Sequence, residues 1–229
     1  MAEVLEISRF SLHDQVATRL RTLLVEGSIA SGAKLNEREL CALLRVSRTP
    51  LREAIKLLAA EGLVDLLPNR GSVAVKLTEA DILNTFEVLA ELEAMSGELA
   101  AQRITDEELA EIRAMHFEML ASFTRRDLSN YYRLNALIHA AINNAAKNPV
   151  LTRTYKSINA RVQPLRFRTN QNEAKWKRAM QEHEVMVQAL AAHDGAVMRK
   201  VLVEHIINKR NTVIDSLRTG DVYPHSATA

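Results

Sequence analysis

Cysteine and aromatic residues are scarce in this 229-residue chain, and both scarcities narrow the class of protein. The single cysteine, Cys41, excludes an intramolecular disulfide framework and suits a reducing compartment. Aromatic residues make up 4% of the chain, against 47% hydrophobic and 25% charged residues, which is typical of a globular chain rather than a disordered one. Alanine and leucine dominate the composition, and this favours helix over sheet.

Long apolar runs and a strong net charge are also missing. We find no secretory signal peptide and no apolar run long enough to span a bilayer, so we expect a cytoplasmic protein with no membrane partner. The formal net charge is only +2, which by itself does not indicate a nucleic-acid partner. Four arginines nevertheless fall within residues 38–52, against one acidic residue, Glu39. Such a local basic patch is enough to engage phosphates.

The N-terminal third of the chain predicts three helices followed by a small hairpin. Apolar residues recur at a helical period over residues 11–26. Asn36 can cap a short second helix, and Ser47 or Thr49 can cap a third. Two short β-prone segments then flank residues 68–71, Pro-Asn-Arg-Gly, which predict a turn. This order of elements is typical of a winged helix-turn-helix, which places a helix against DNA.

The third helix has one arc for packing and another that suits DNA. Its inward-facing apolar residues are Leu51, Ala54, Ile55 and Leu58, and its outward-facing arc holds Arg48, Thr49, Arg52 and Lys56. Arginine can pair with guanine or with phosphate. Arg38, near the start of the second helix, is placed to contact the DNA backbone, and Arg70 with Gly71 forms a wing tip small enough for a minor groove. The alternative is an ordinary three-helix bundle with solvent-exposed arginines.

Residues 11–76 resemble the N-terminal domain of the GntR family of bacterial transcription regulators. The resemblance is carried by Glu37-Arg38-Glu39-Leu40, by Val46-Ser47-Arg48-Thr49-Pro50-Leu51-Arg52-Glu53-Ala54, and by Glu61-Gly62-Leu63-Val64. In that family the operator DNA is contacted from the positions held here by Arg38, Arg48, Thr49, Arg52 and Gly71. The resemblance therefore implies a homodimer that binds double-stranded operator DNA at a palindromic site.

From Glu79 onward the strand signals stop and long helical periodicities begin. The predicted helices cover about 79–102, 106–125, 127–145, 149–170, 173–193 and 196–218. We therefore predict a mainly α protein, with a winged helix-turn-helix domain over residues 1–76 and an all-helical bundle over residues 77–218. Residues 219–229 are predicted to form a flexible tail.

Four polar residues of the predicted bundle have the chemistry of a metal site. Asn135 and His139 are four residues apart and share one face of a helix, while His183 and His205 lie on two later helices. Three imidazoles and an amide oxygen could bind a divalent ion such as Zn²⁺ or Ni²⁺. Spacing alone does not make them converge, because a lone helical histidine is more often a surface or core residue. We interpret the other histidines in that way: His13, His116, His193 and His225.

The region from about 81 to 216 resembles the FCD effector domain, the all-helical bundle of one large, FadR-like branch of GntR regulators. The family pattern is an Asp or Asn with a His four residues on, then a His in each of two later helices, and it is matched by Asn135, His139, His183 and His205. The resemblance implies metal binding, effector binding and dimerisation. FCD proteins often carry an arginine near Leu89, where this chain is apolar, and we expect Arg161 or Arg166 to contact the effector instead.

Asn135 also predicts the kind of effector. An aspartate would cancel one unit of the metal's charge, whereas an amide oxygen cancels none. Three neutral imidazoles and an amide therefore leave the full charge of the ion facing the cavity. An open coordination position would attract an anion, most simply a small organic acid or sugar acid. The expected function is a transcription repressor that such a carboxylate releases from DNA.

Two other functions stay open from the sequence. One is a metal-dependent hydrolase, because three histidines and a water can activate hydroxide. The chain lacks an HExxH helix, however, and Glu184 must point away from its neighbour His183 on a helix. The other is an effector-independent DNA-binding protein whose metal only holds the bundle together. Operator binding measured with and without candidate acids separates these functions.

Overall fold

The computed structural model describes residues 11–169 and 173–220. Within these ranges the regular structure is helical except for one two-stranded antiparallel sheet, which confirms the predicted fold class. The chain divides into two compact units between Lys76 and Leu77. None of the described helices is both long and apolar enough to cross a membrane. The tail predicted over residues 219–229 begins later than expected, because residue 219 is still helical, and residues 221–229 lie outside the described residues.

The N-terminal unit contains the predicted helices and hairpin in the predicted order. They are α1 (Leu12–Val25), α2 (Glu37–Leu44), α3 (Arg48–Ala60), β1 (Val64–Leu67) and β2 (Gly71–Ala74). The Asn36 side chain starts α2 by accepting hydrogen bonds from the backbone amides of Arg38 and Glu39 at 3.1 and 3.4 Å. Of the two caps considered for α3, Ser47 is the residue that precedes it. Pro50 lies in the first turn, where its missing N–H leaves no helical bond unmade.

The hairpin closes the N-terminal unit and ends in a narrow tip. β1 pairs with β2 so that Val64 lies opposite Ala74 and Leu67 lies opposite Gly71. The turn uses left-handed backbone at Asn69 (φ 58°) and at Gly71 (φ 87°), which glycine tolerates without strain. The hydrophobic core of this unit is built from α1, α2, α3 and both strands, with Leu20, Leu40, Leu51, Ala54, Leu58, Leu63, Val64 and Ala74 among its members.

The C-terminal unit is a helical bundle. It consists of α4 (Glu79–Arg103), α5 (Asp106–Thr124), α6 (Leu128–Ala145), α7 (Pro149–Arg168), α8 (Glu173–Ala191) and α9 (Gly195–Thr219). Each helix begins and ends within a few residues of its predicted bounds. Thr78 and Thr105 explain two of these starts, because each forms a capping box with the acidic residue three positions on.

Helices α4 and α9 form the centre of the bundle and bring its polar residues together. Both helices have 25 residues, and they pack along each other. Gly97 of α4 permits the close approach, because a Cβ at this position would overlap Cδ1 of Leu202 on α9. The same two helices carry Glu93 and His205 into the interior, where both side chains are buried. The polar site described next is therefore enclosed by an apolar bundle core.

Candidate nucleic-acid interface and metal centre

The two arcs predicted for α3 are separated in the structure. Leu51, Ala54, Ile55 and Leu58 are buried, while Arg48, Thr49, Arg52 and Lys56 are exposed. Burial of the apolar arc fixes the helix against its own unit. The exposed arc therefore presents the cationic and hydroxyl groups of α3 to solvent, as a groove-binding helix requires.

A carboxylate on α2 holds the guanidinium of Arg52. The Nε of Arg52 donates to both Oε1 and Oε2 of Glu37 at 3.0 Å. Sequence reasoning missed this pair, because the partners are 15 positions apart and no helical spacing relates them. The contact uses Nε and joins α2 to α3, so it orients the arginine on the exposed face. Its contribution to stability is small because both groups are partly exposed.

The other residues expected at DNA also lie on the surface. Arg38 of α2 is exposed, and so are Arg70 and Gly71 at the hairpin tip. The backbone N–H of Arg70 donates to the carbonyl of Leu67 at 3.1 Å, so the turn is hydrogen-bonded while the Arg70 side chain projects from it. Every residue expected to contact operator DNA is thus accessible within the N-terminal unit.

Three histidines from three helices converge in the interior of the bundle. They are His139 of α6, His183 of α8 and His205 of α9, and each is at least 97% buried. Their ring centroids are 5.0 to 5.1 Å apart, and one nitrogen from each ring lies within 4.8 Å of the others. The bundle therefore supplies the convergence that spacing along the chain could not predict. We call these residues the histidine triad.

Two carboxylates make short contacts with histidines of the triad. His139 Nδ1 lies 2.6 Å from Glu93 Oε2, and His205 Nδ1 lies 2.6 Å from Glu182 Oε2. In the described part of the chain, the Nε2 atoms of His139 and His205 have no hydrogen-bond partner, and neither nitrogen of His183 has one. A carboxylate on Nδ1 fixes the tautomer that leaves Nε2 free to bind a metal. Neither glutamate was identified from the sequence, because each lies on another helix from its histidine.

The triad is suited to metal in its charge state as well as its geometry. Burial lowers the pKa of His183 and His205 well below the ordinary value of 6.5, and the neighbouring imidazoles lower it further. The two rings are therefore neutral at neutral pH, and neutral imidazole is the form that binds metal. Burial raises the pKa of Glu93, but the His139 imidazole and Arg166 outweigh it, so the net pKa lies below 4.5.

Asn135, the predicted fourth ligand, is a buried residue with an unpaired side-chain oxygen. It lies one turn before His139 on α6, is 3% exposed, and its Oδ1 has no hydrogen-bond partner among the described residues. An unpaired buried amide oxygen costs free energy unless something else binds it. Three unpartnered imidazole edges and this oxygen match the donor set that Zn²⁺ and related ions take in proteins. The residues present therefore fit a divalent ion.

The two arginines expected near the effector lie in different surroundings. Arg166 of α7 is 8% exposed, donates through Nη1 to Asn159 Oδ1 at 2.8 Å and lies 4.0 Å from Glu93 Oε1. It lines a cavity of about 220 Å³ that His205 also lines. Arg161, one and a half turns earlier on α7, is exposed. The structure thus places Arg166 beside the triad and Arg161 at the surface.

The remaining histidines occupy structural positions in the described part of the chain. His116 is buried and lies 2.9 Å from Glu184, which shows where the neighbour of His183 points. His193 Nδ1 lies 2.7 Å from the Ala101 carbonyl oxygen. His13 contacts Ser11 at the start of α1. His225 lies outside the described residues.

Two family models match the chain. The model for the FCD domain matches residues 84–208, and the model for bacterial regulatory proteins of the gntR family matches residues 12–73. The first spans the triad and the helices that carry it, and the second spans the three N-terminal helices and nearly all of the hairpin. Together the matches cover both units of the fold.

Curated relatives match over most of their own length. The HTH-type transcriptional repressor RspR of Escherichia coli (strain K12) is 25% identical over 195 residues, 85% of this chain and 86% of that protein. The gluconate operon transcriptional repressor of Bacillus subtilis (strain 168) is 28% identical over 215 residues, 91% of this chain and 88% of that protein. The solved structure of E. coli McbR/YncC has a TM-score of 0.81 at 23% identity and covers 91% of this chain and 99% of its own, so the two share a fold.

Proposed function

The chain belongs to the gntR family of bacterial regulatory proteins and carries a C-terminal FCD domain, and we propose that it is a repressor released from operator DNA by a small carboxylate bound at a divalent metal. The family consists of transcription regulators, not enzymes, which removes the hydrolase from consideration. The observation that carries the proposal is the buried histidine triad with its unpartnered nitrogens.

We assign operator recognition to the exposed side of the N-terminal unit. The contacting residues are Arg38, Arg48, Thr49, Arg52, Arg70 and Gly71, all of which are exposed. Arginines on α3 suit guanine edges and phosphates in a major groove, and the glycine-tipped hairpin suits the adjacent minor groove. Helix-turn-helix dimers read half-sites about one DNA turn apart, roughly 34 Å, so the protein acts as a homodimer on a palindromic operator.

The metal ligands are Asn135, His139, His183 and His205. The Zn²⁺ or Ni²⁺ ion, when bound, supplies positive charge and a coordination position open to a ligand. Glu93 and Glu182 orient two of the imidazoles, and the neutral rings together with the Asn135 amide leave the charge of the ion uncancelled. A small carboxylate is therefore the favoured ligand, with Arg166 beside the site and Arg161 at the surface as the less favoured contact.

We propose repression rather than activation because two similar proteins are repressors. The RspR protein and the gluconate operon protein are both transcriptional repressors, and they match this chain across both of its units. Gluconate, after which the operon of the second relative is named, is itself a small organic acid, which supports an acid as the effector proposed for this chain. Release by the acid requires that it bind the DNA-free form more tightly than the DNA-bound form.

The test uses an operator selected from random DNA by the purified protein. Operator affinity is measured by fluorescence anisotropy for zinc-loaded and chelator-treated protein, with a panel of organic acids. We expect at least one acid to weaken operator binding about tenfold or more in the zinc-loaded protein only, within the 1–3 kcal/mol typical of such coupling.

Two variants serve as matched histidine controls. His183→Ala should bind the operator but no longer respond to the acid, whereas His116→Ala removes a buried histidine outside the triad and should still respond. If no acid changes operator affinity while zinc still raises the melting temperature, the metal is structural and the sensing proposal is wrong.

A further inference from the structure

The cavity beside the triad extends between α7, α8 and α9. Its lining includes His205, Arg166, Glu182, Asn208 and Lys209. Because His205 belongs to the triad, this space borders the proposed metal site. The side chains that line the cavity are therefore positioned to affect which carboxylates the protein binds.

Lys209 is the unexpected member of this cavity. It lies one turn after His205 on α9, is partly buried, and forms no hydrogen bond or ion pair with any residue that the structure describes. Burial lowers the pKa of Lys209 to about 8, and the nearby charge of Arg166 contributes to the decrease. The Glu182 carboxylate offsets only part of this decrease, so a further anion near Lys209 would stabilise the ammonium.

The carboxylates near the triad already form hydrogen bonds or ion pairs with other residues. Glu182 Oε2 lies 2.6 Å from His205, and its Oε1 accepts from Asn208 Nδ2 at 2.6 Å and from Arg178 Nε at 3.1 Å. Glu93 bonds to His139 and is 4.0 Å from Arg166. Asp215, the remaining acidic residue of the lining, is exposed. Glu93 and Glu182 therefore already have polar partners, whereas the Lys209 ammonium has none among the described residues.

We infer that the effector carries two anionic groups, one for the metal and a second that binds between Arg166 and Lys209. The inference rests on the proposed function and narrows the proposed effector from small carboxylates to small dicarboxylates. The planar guanidinium of Arg166 can form paired hydrogen bonds with a carboxylate, and the Lys209 ammonium adds a second charge-assisted donor. A monocarboxylate binds the metal but brings no second anionic group to Arg166 and Lys209. Lys209 is thus a specificity-determining residue.

The test compares acids that differ in the second charge. Calorimetry with zinc-loaded protein measures the affinity of malonate, succinate and glutarate against butyrate and gluconate, the last being a monoacid rich in hydroxyl groups. At least one diacid should bind about tenfold or more tightly than either monoacid. Lys209→Met should remove most of that advantage and leave the monoacid affinities within about twofold. Lys200→Met removes an exposed lysine of the same helix and should change neither.

Metal content and melting temperature are measured for each variant, so that loss of zinc or of fold is not mistaken for loss of the second contact. Two results would refute a requirement for a second anionic group: equal binding of monoacids and diacids to zinc-loaded protein, or an equal loss of affinity for both classes in Lys209→Met. Either result would leave the proposed binding of a carboxylate at the metal intact. If gluconate equals the diacids and Lys209→Met leaves its affinity unchanged, hydroxyl groups and not charge determine selection. If no acid binds, the proposed function fails together with this inference.

Discussion

At the scale of single residues, the bundle interior combines buried imidazoles with carboxylates that orient them. His139 and His205 each bond one nitrogen to a glutamate, and the other nitrogen has no hydrogen-bond partner among the described residues. His183 has no such partner in the described part of the chain, so its orientation depends on packing. The arrangement makes the two glutamates positioning residues for the proposed metal.

Glu93→Gln tests this positioning role. The amide can no longer act as a carboxylate toward His139 Nδ1, so the imidazole loses its fixed tautomer and some of its basicity. Zinc affinity should fall about 10–100-fold, measured by competition with a chromogenic chelator. Glu91→Gln, an exposed residue of the same helix paired with Arg199, is the control and should retain parental affinity. Parental zinc affinity in Glu93→Gln would show that the contact does not serve the metal.

Asn135→Asp tests the charge of the proposed site. The new carboxylate would cancel one unit of the ion's charge, so zinc should bind more tightly and the acid effector more weakly. Chelator competition measures the first effect and calorimetry with the acid measures the second. Acid affinity that is equal or higher in Asn135→Asp would refute the idea that uncancelled metal charge draws the ligand.

At the scale of helices and strands, the molecule separates packing surfaces from recognition surfaces. In α3 the apolar arc is buried and the cationic arc exposed, and in the bundle α4 and α9 approach closely at a glycine. The first feature determines which side chains can meet DNA. The second determines how near Glu93 and His205 lie to the centre of the bundle. We therefore expect a substitution on the exposed arc of α3 to affect DNA binding, and a substitution at the α4–α9 contact to affect the stability of the bundle.

Arg52→Ala should weaken operator binding without unfolding the protein. Loss of one bidentate base contact costs about 1–3 kcal/mol, and the Glu37 contact that is also lost lies at the surface and adds little to stability. Operator anisotropy and thermal melting are measured together. Arg113→Ala, which removes an exposed arginine of the C-terminal unit, is the control. Parental affinity of Arg52→Ala for the selected operator would refute the assignment of α3 as the reading helix.

Gly97→Val should destabilise the bundle. The added side chain would overlap the fully buried Leu202 and contact Met198 on α9, and overpacking of this kind typically costs about 1–3 kcal/mol. A lower melting temperature for metal-free protein is expected, together with weaker zinc binding because His205 lies on the displaced helix. An unchanged melting temperature would mean that α4 and α9 can separate at no cost.

The helices could be predicted closely from the sequence, whereas the site could be predicted only in part. Helix starts follow local chemistry, since Asn36, Thr78 and Thr105 lie next to the residues that they cap. The triad could be proposed only through a family resemblance, because its members come from three helices. Glu93 and Lys209 were missed altogether, because their importance depends on which side chains the packing brings beside them.

At the scale of the whole molecule, the chain joins a unit that suits DNA to a unit that suits a metal and an acid. The family matches cover both units, and the N-terminal boundary of the bundle is the start of α4, the helix that also carries Glu93. We propose that the two units are thermodynamically coupled, so that occupation of the bundle site changes the affinity for operator. Such coupling must be reciprocal, since it is a property of the thermodynamic cycle.

That reciprocity gives the most direct measurement. The acid that most weakens operator binding is titrated calorimetrically into zinc-loaded protein, first alone and then with saturating selected operator. We expect the operator to lower the affinity for the acid by the same factor by which the acid lowers the affinity for the operator, about tenfold or more. An affinity for the acid that is the same with and without operator would contradict it.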